Sequence, residues 1–343
     1  MSSLAVSASG GASASAPVVP FSGMPGDNNA TANNVAALFQ QGRDGEATAM
    51  LTQARQGQPQ AIQDALDRMV SVRLSTSANT PSAQNAQDTS QYTHANPVEV
   101  GSTMRRINDA GLDRPAMPNT TGLSVEQKFD VYSSIVQTRG NQAARDALNR
   151  GDKVILGLRK EDSTLVNGGK GEYNDRIVVL SRKDGVVHVD EFDRASTEPT
   201  AQYDANQKKN VASPRVPYGV DVTHDGIPEL GRVSEGTVEM KPATHPTPWA
   251  GTNFALRPTP TAVANGVGNI ERDSNHDGKF DSNDVRSNLD ESFKIHAGSR
   301  SNTDSAGCST IYPDDYGRFV SAVMGSHGPQ QASWQYVLTA TTP

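Results

Sequence analysis

The sequence predicts an α+β protein in which a helical N-terminal region is followed by an all-β sandwich or barrel. Before residue 150, apolar residues such as Ile62, Leu66 and Met69 recur at helical spacing. After residue 151, short segments rich in Val and Ile alternate with turns of Gly, Pro, Asn and Asp. This change of periodicity places the main boundary of the chain near residue 150.

The first 122 residues divide by composition into three segments. Residues 1–32 are rich in Ser, Ala, Gly and Asn and are predicted to be disordered. Residues 33–76 form a helical segment in which two glycines interrupt the apolar stripe. Residues 77–122 are rich in Ser, Thr, Asn, Gln and Pro, a composition that is typical of a flexible linker.

A helical lead-in to the β-rich region covers residues 123–150. Ser124 and Gln127 have the spacing of a capping box, in which side chains and backbone at the start of a helix exchange hydrogen bonds. Gly140 interrupts this helix, and a shorter helix follows. Gly151 is predicted to end the second helix, because glycine readily adopts the left-handed conformation found just beyond helix ends.

Residues 151–343 are predicted to form the β-rich domain. An Asp-Gly turn at 184–185 joins two strand-like segments into a hairpin. The predicted strands are 153–158, 176–181, 186–190, 233–240, 294–296, 310–312 and 335–338. Short strands separated by turn residues indicate a sandwich or a barrel.

The composition narrows the classes of function. The formal net charge is −7, which disfavours a nucleic-acid partner bound through phosphate contacts. Hydrophobic residues make up 35% of the chain, less than in a fully packed protein, as expected if part of the chain is disordered. No apolar run approaches the roughly 18 residues of a membrane-spanning helix, so no membrane span is predicted.

Cys308 is the only cysteine of the chain. A single thiol can form neither an internal disulfide nor a multi-cysteine zinc site. It lies in the sequence Ser305-Ala306-Gly307-Cys308, twelve residues after His296. A polar loop between two predicted strands would bring the imidazole to the thiol and lower the thiol pKa. The pattern indicates a nucleophilic cysteine with a histidine base.

The motif His296-x-Gly298, a polar loop and Ser305-x-Gly307-Cys308 resemble the active-site signature of L,D-transpeptidase catalytic domains. The resemblance covers roughly residues 151–343. Enzymes of that family cut and rejoin the stem peptides of peptidoglycan on a β-rich fold. The resemblance therefore implies an L,D-transpeptidase-like catalytic domain that acts on peptidoglycan stem peptides through a thioester acyl-enzyme on Cys308.

The resemblance also implies a role for each residue of the motif. His296 would take the proton from the Cys308 thiol, and Ser305 would orient the loop or the substrate. Gly298 would leave room for a close approach of the backbone. Backbone N–H groups around Gly307 and Cys308 are expected to form the oxyanion hole.

Two residues depart from the commonest pattern of the family. Ala306 stands where that pattern has His, and Thr310 stands where it has Arg. Transpeptidation and hydrolysis, as by an L,D-carboxypeptidase or endopeptidase, both remain open. A second class of function remains open as well: a non-catalytic secreted calcium-binding protein, or an effector that engages a protein partner, in which Cys308 is a small buried residue.

A peptidoglycan enzyme works outside the cytoplasm. Residues 1–32 contain neither the basic start nor the continuous apolar run of a conventional signal peptide. Their composition resembles the export region of substrates of specialised bacterial secretion systems such as type III. This predicts a secreted or periplasmic protein with the secretion machinery as a partner, although a disordered tail explains the same composition.

Residues 273–284 match a twelve-residue calcium-binding loop. Side-chain oxygens stand at positions 1, 3, 5 and 9, and Gly278 stands at the sharp turn of position 6. The predicted ligands of a structural Ca²⁺ ion are Asp273, Asn275, Asp277, Lys279 through its carbonyl, Asp281 and Asp284. Asp284 is one methylene shorter than the usual Glu at position 12, which lowers the expected affinity.

A second segment, Asp221 to Glu229, repeats this order of residues. Pro228, and Arg232 at the position of the last ligand, depart from the calcium-loop pattern. A second ion site and an ordinary Asp-Gly turn both explain this segment.

Overall fold

The computed structural model describes residues 27–78, 114–247, 250–325 and 330–342. The predicted α+β class is confirmed in these ranges, which contain eight helices and a closed, mixed barrel of eight strands. A search of the described helices found none with the length and apolar character needed to cross a membrane.

Five helices precede the barrel; the last two pack against its strands, and the first three pack against one another and against the fourth. They are α1 (Asp27–Gln40), α2 (Asp44–Arg55), α3 (Gln60–Ala78), α4 (Val125–Arg139) and α5 (Gln142–Arg150). Three further helices follow within the β-rich region: α6 (Val166–Gly169), α7 (Pro260–Ala264) and α8 (Pro313–Met324). The apolar stripe Ile62, Leu66 and Met69 of α3 is fully buried in the cluster that α3 shares with α4.

The barrel closes in the strand order β1-β11-β5-β6-β9-β10-β3-β2. Its strands are β1 (Val154–Arg159), β2 (Asp175–Lys183), β3 (Val186–Ser196), β5 (Gly236–Thr244), β6 (Phe254–Pro258), β9 (Ile295–Ala297), β10 (Ser309–Ile311) and β11 (Trp334–Ala340). Two neighbouring pairs, β1 with β11 and β9 with β10, are parallel. A separate sheet contains β4 (Gly231–Val233), β7 (Ile270–Arg272) and β8 (Arg286–Ser287).

Strand β1 separates two hydrophobic cores. Leu156 and Leu158 belong to the core under the helices, whereas Ile155 belongs to the core inside the barrel. This division follows from the alternation of side chains along a strand. A Cβ atom at Gly157 would lie 2.6 Å from the Tyr336 hydroxyl oxygen, so glycine provides the space that Tyr336 fills.

Several local predictions are confirmed. Ser124 and Gln127 form both hydrogen bonds of the capping box at the start of α4. Gly151 ends α5 with a φ of 85°. The hairpin between β2 and β3 turns at residues 184–185, both of which have positive φ.

The boundaries of the N-terminal segments need correction. Helix α1 begins at Asp27, so the predicted disorder of residues 1–32 is wrong for 27–32; residues 1–26 lie outside the described ranges. Most of the predicted linker, 79–113, also lies outside them. Residues 114–122 pack on the barrel, because Arg114 forms an ion pair with Glu235 at 2.8 Å.

The predicted all-β character of residues 151–343 is incomplete. Helix α8 follows β10 directly, and its side chains Tyr316 and Phe319 are fully buried in the barrel core. Pro313 at its first turn is typical of helix starts. The helix packs against β2, β3 and β9, so it contributes to the core of the β-rich domain.

Candidate active site: a cysteine–histidine cleft

Cys308 and His296 belong to neighbouring parallel strands. The register pairs Thr310 with His296, so Cys308, just before β10, lies level with Lys294. The Lys294 backbone N–H donates a hydrogen bond to Cys308 Sγ at 3.4 Å. The structure brings the two predicted catalytic residues together, since both line one cleft.

The surroundings of Cys308 favour the protonated form of its thiol. Burial raises the thiol pKa to about 11, although the Lys294 backbone N–H and side-chain charge act in the opposite direction. The thiol donates to the Ser292 carbonyl oxygen at 3.4 Å, and in the described part of the chain no hydrogen bond joins it to His296. The direction of the shift is opposite to the lowering that the sequence predicts, because desolvation of the thiolate outweighs the nearby positive charge.

His296 is a neutral imidazole whose orientation is fixed by the backbone. Its side chain is almost fully buried, and this burial lowers its pKa to about 3, with His245 adding to the effect. Nδ1 donates to the Ala297 carbonyl oxygen at 2.8 Å. Since a carbonyl oxygen only accepts, the proton is on Nδ1 and the lone pair is on Nε2. The Ala297 carbonyl is therefore the orienting partner that the sequence could not identify.

The cleft has a volume of about 320 Å³ and opens beside the motif. Ala306, Gly307 and Cys308 form one wall. The remaining lining residues are Tyr203, Tyr218, Gly219, Val220, His245, Arg272, Asp290, Ser292, Phe293, Lys294, His296 and Asp304. A concave site with a few converging polar groups is the usual form of a small-ligand site.

Ser305 and Gly307 shape the turn that presents the thiol. Ser305 is fully buried, its hydroxyl donates to the Cys308 carbonyl oxygen at 2.7 Å, and it accepts from the Gly307 N–H at 3.0 Å. The Gly307 N–H is thus already engaged and is not free for an oxyanion. The Cys308 N–H has no protein acceptor within the described ranges, so it remains the candidate donor for the oxyanion hole.

Gly307 and Gly298 are required by packing. Gly307 has a φ of 147°, and a Cβ atom there would lie 2.5 Å from the Gly231 carbonyl oxygen. A Cβ atom at Gly298 would lie 2.1 Å from the Tyr173 hydroxyl. That hydroxyl contacts the carbonyl oxygens of Ser299 and Asn302 at 2.8 and 2.9 Å, so Gly298 allows Tyr173 to hold the polar loop.

His245 stacks on the candidate base, although the sequence does not indicate this contact. The rings of His245 and His296 are parallel within 6°, with centroids 3.9 Å apart. Burial also lowers the pKa of His245, so the two rings stack as neutral groups. No local pattern around His245 indicates this contact, because it arises only when β5 and β9 come together on either side of β6.

The loop 273–284 makes the sharp turn that its sequence predicts, but most of its side-chain oxygens accept hydrogen bonds from the backbone of the same loop. His276 and Gly278 have φ angles of 57° and 81°. The side chains of Asn275, Asp277 and Asp281 each accept a backbone N–H two residues ahead. No three carboxylates of this loop bring ligand atoms within 4.8 Å of one another in the described ranges.

Asp273 is the exception in this loop, because one of its oxygens is unused. Its side chain is fully buried; Oδ2 accepts the Gly278 N–H at 3.0 Å, and Oδ1 has no partner. Burial, followed by the nearby Asp204, raises the Asp273 pKa to about 7. Asp284 instead accepts from the backbone of Ser274 and of Asp281, both at 2.9 Å.

The second loop brings its carboxylates together. Asp221, Asp225 and Glu229 each place one oxygen within 4.8 Å of the others, an arrangement that could hold a metal ion. Glu229 is fully buried, and its carboxylate accepts the Val222 N–H at 2.7 Å and the Thr223 hydroxyl at 2.6 Å. The segment just before this loop, 218–220, is part of the cleft wall.

Comparisons with known proteins identify no relative of this chain. A scan against protein-family models and searches of the curated proteins and of the solved structures found no match.

Proposed function

We propose that the chain is an exported cysteine-dependent enzyme, an L,D-transpeptidase or L,D-peptidase, that acts on peptidoglycan stem peptides. One observation carries the proposal: the only cysteine of the chain lines the same cleft as His296, from the adjacent parallel strand. The sequence motif that resembles the L,D-transpeptidase family supports the choice of substrate. Export is proposed through residues 1–32, since the substrate lies outside the cytoplasm.

The resting pKa values determine how the thiol would be activated. A neutral thiol and a neutral imidazole do not form a preformed ion pair, so proton transfer must accompany attack on the substrate. Cys308 would lose its proton to Nε2 of His296 as the sulfur attacks the peptide carbonyl carbon. The carbonyl oxygen, which becomes negatively charged, would accept the Cys308 N–H.

The remaining steps follow from the balance of atoms. The C–N bond of the tetrahedral intermediate breaks, and His296 returns its proton to the leaving amine. A thioester on Cys308 remains. Water then attacks the thioester to give a carboxylic acid, or a second amine attacks to give a new peptide bond; either step restores the thiol.

Purified muropeptides followed by mass spectrometry test this function. We expect loss of a residue by hydrolysis or formation of a cross-linked product. Cys308→Ala should lower the rate by at least about 10³-fold, because it removes the nucleophile. Unchanged muropeptides with the wild-type chain, together with a thiol that iodoacetamide labels only after unfolding, would refute catalysis and favour the non-catalytic alternative.

We also propose that the loop 273–284 binds a structural Ca²⁺ ion. The specific observation in its favour is the Asp273 Oδ1 atom, which is buried without a partner. A buried carboxylate oxygen is stabilised either by a proton or by a cation. Because the loop begins directly after Arg272 of the cleft, ion binding would stabilise the strand that forms part of the cleft wall.

A further inference from the structure

Arg272 is a buried cation in the cleft without a carboxylate partner. Its residue surface is 3% exposed, and it lines the cavity together with Cys308. Nε donates to the Ser287 hydroxyl at 2.8 Å, and Nη1 donates to the Glu229 carbonyl oxygen at 3.3 Å. Within the described ranges, no carboxylate oxygen lies within 4.0 Å of its guanidinium, and Nη2 has no protein acceptor.

A neighbouring buried arginine has the carboxylate partners that such a charge usually has. Arg232 is equally buried, and it contacts the carboxylates of Glu161, Glu198 and Glu271. Buried guanidinium groups are normally paired in this way, because an isolated buried charge is costly. The absence of such a partner at Arg272 therefore needs an explanation.

Strand geometry separates the two arginines. In the β4–β7 ladder, Arg232 lies opposite Glu271, and Gly231 lies opposite Arg272. Successive side chains of a strand point to opposite faces, so Arg232 and Glu271 share one face and Arg272 occupies the other. The face with the three carboxylates is thus not the face with the cleft.

Two glycines keep the space between Arg272 and the nucleophile free of side chains. A Cβ atom at Gly231 would lie 2.6 Å from Arg272 Nη1, and a Cβ atom at Gly307 would lie 2.5 Å from the Gly231 carbonyl oxygen. The guanidinium, Gly231 and Gly307 are therefore successive neighbours. Gly307 directly precedes Cys308.

The other charges of the cleft leave room for a negative ligand. Lys294 adds a second positive charge, and Asp290 and Asp304 are the two carboxylates of the lining. The carboxylate of Asp304 lies 3.6 Å from the guanidinium of Arg215, a residue that is not part of the lining. The carboxylate of Asp290 accepts the Ser292 N–H at 2.6 Å. The charges of Asp290 and Glu229 act on Arg272, but neither carboxylate lies within 4.0 Å of its guanidinium.

We propose that Arg272 binds a carboxylate of the substrate and thereby selects peptides that carry a free carboxylate beside the bond to be cleaved. This inference rests on the proposed function and names the substrate class of the same cleft. A planar guanidinium recognises a carboxylate in a fixed orientation. The bound substrate would supply the carboxylate partner that Arg272 does not have within the protein. It would also place the carbonyl carbon of the scissile bond near Cys308.

Alkylation of Cys308 tests the carboxylate site without any peptide. Iodoacetate and iodoacetamide both form a bond between carbon and the Cys308 sulfur and release iodide, but only iodoacetate is negatively charged. Both rate constants are proportional to the fraction of Cys308 that is ionised, so this fraction drops out of their ratio. We expect this ratio to exceed that of 2-mercaptoethanol in the same buffer and to fall as sodium chloride is added.

Variants assign the effect to Arg272. Arg272→Gln should lower the iodoacetate to iodoacetamide ratio by about fivefold or more, and Arg272→Lys should change it by less, because the charge remains. Asp290→Asn should raise the ratio. Arg150→Gln is the matched control, since Arg150 is exposed, is paired with Asp152 and lies outside the cleft. A melting curve for each variant establishes that it is folded.

Two results would overturn the proposal. The first is a ratio in Arg272→Gln that stays within about twofold of the wild-type ratio. The second applies even if that variant does not fold: a wild-type ratio no higher than that of 2-mercaptoethanol and insensitive to salt.

A pair of peptides separates this inference from the proposed function. The two peptides differ only in a free carboxylate or a carboxamide beside the scissile bond. We expect Arg272→Gln to lower kcat/KM for the acid by a larger factor than that for the amide. Cleavage with equal losses for both peptides would refute the carboxylate site and keep the enzyme; no cleavage of either, with the expected alkylation ratios, would refute the enzyme and keep the site.

Discussion

The loops 221–229 and 273–284 share the sequence Asp-x-x-His-Asp-Gly but satisfy their oxygens differently. In the first, three carboxylates converge, and the buried Glu229 carboxylate has two hydrogen-bond donors. In the second, the carboxylates do not converge within the described ranges, and the buried Asp273 keeps one oxygen without a partner. Each loop therefore has one of the two properties that a metal site combines.

The backbones of the two loops are nearly the same. The His of each motif has a φ close to 60°, at 62° and 57°, and the Gly has a φ of 87° and 81°. The two loops also meet at one end of the β4–β7 ladder, where the Asp273 N–H donates to the Leu230 carbonyl oxygen at 3.0 Å. The motif thus determines the turn, and the surroundings determine which oxygens are left unsatisfied.

The largest difference is expected in the pH dependence of stability in the presence of a chelator. Asp273 has a folded pKa of about 7, raised above the unfolded value of about 3.9. Its contribution to stability is fully present below about pH 4 and is lost as the pH rises through 7. Urea unfolding should show that the difference in stability between wild type and Asp273→Asn falls by on the order of 3 kcal/mol from pH 4 to pH 8.

The equivalent variant in the other loop, Asp221→Asn, is the control. Both oxygens of Asp221 accept backbone N–H groups, from Asp225 and Gly226, and the side chain is only partly buried. We expect a smaller pH-dependent difference for this variant. Equal slopes for the two variants would show that burial does not distinguish the loops.

Calcium should stabilise the protein by binding to the loop 273–284, which contains the unpartnered Asp273 oxygen. At free calcium near 100 times the dissociation constant, binding adds about 2.7 kcal/mol to stability, which raises the melting temperature by a few degrees. Asp277→Asn should remove this rise, whereas Asp225→Asn, at the same position of the other loop, should retain it; both residues are exposed. If only Asp225→Asn removed the rise in melting temperature, calcium would bind to the loop with converging carboxylates and not to the loop with the unpartnered oxygen.

A smaller effect is expected from the acidic residue at the ninth position of each loop. Glu229→Ala leaves two donors without their acceptor and should cost about 2 kcal/mol of unfolding free energy. Asp281→Ala removes one exposed cap, on the Asn283 N–H, and should cost about 0.5 kcal/mol. Glu229→Gln keeps an acceptor and should lie near wild type in a urea titration; a loss as large as that of Glu229→Ala would mean that the negative charge itself is required.

Local features of the fold could be predicted because local residues determine them. The capping box of Ser124 and Gln127 needs only a spacing of three residues. The turn at 184–185 needs only two residues that tolerate positive φ. It was also predictable that Cys308 and His296 line the same cleft, because a short loop joins the two strands.

The remaining features of the site depend on contacts between distant segments. His245 stacks on His296, and Arg272 enters the cleft from β7, but neither belongs to a motif. The thiol pKa was predicted in the wrong direction because the sequence shows the neighbouring charges but not the burial of the sulfur. Burial is a property of the assembled barrel.

The parallel pairing of β1 with β11 has a consequence for how the chain folds. Val154 pairs with Gln335, so the barrel closes only when segments far apart in the sequence meet. Closing such a long loop costs chain entropy before any contact compensates for it, and folds with many distant contacts form slowly. Until β11 arrives, β1 and β5 each expose an unpaired strand edge, which is prone to aggregation. Deletion of residues 334–340 should therefore give an aggregating chain, and slow closure would favour the export proposed above, since a newly made chain stays unfolded for longer.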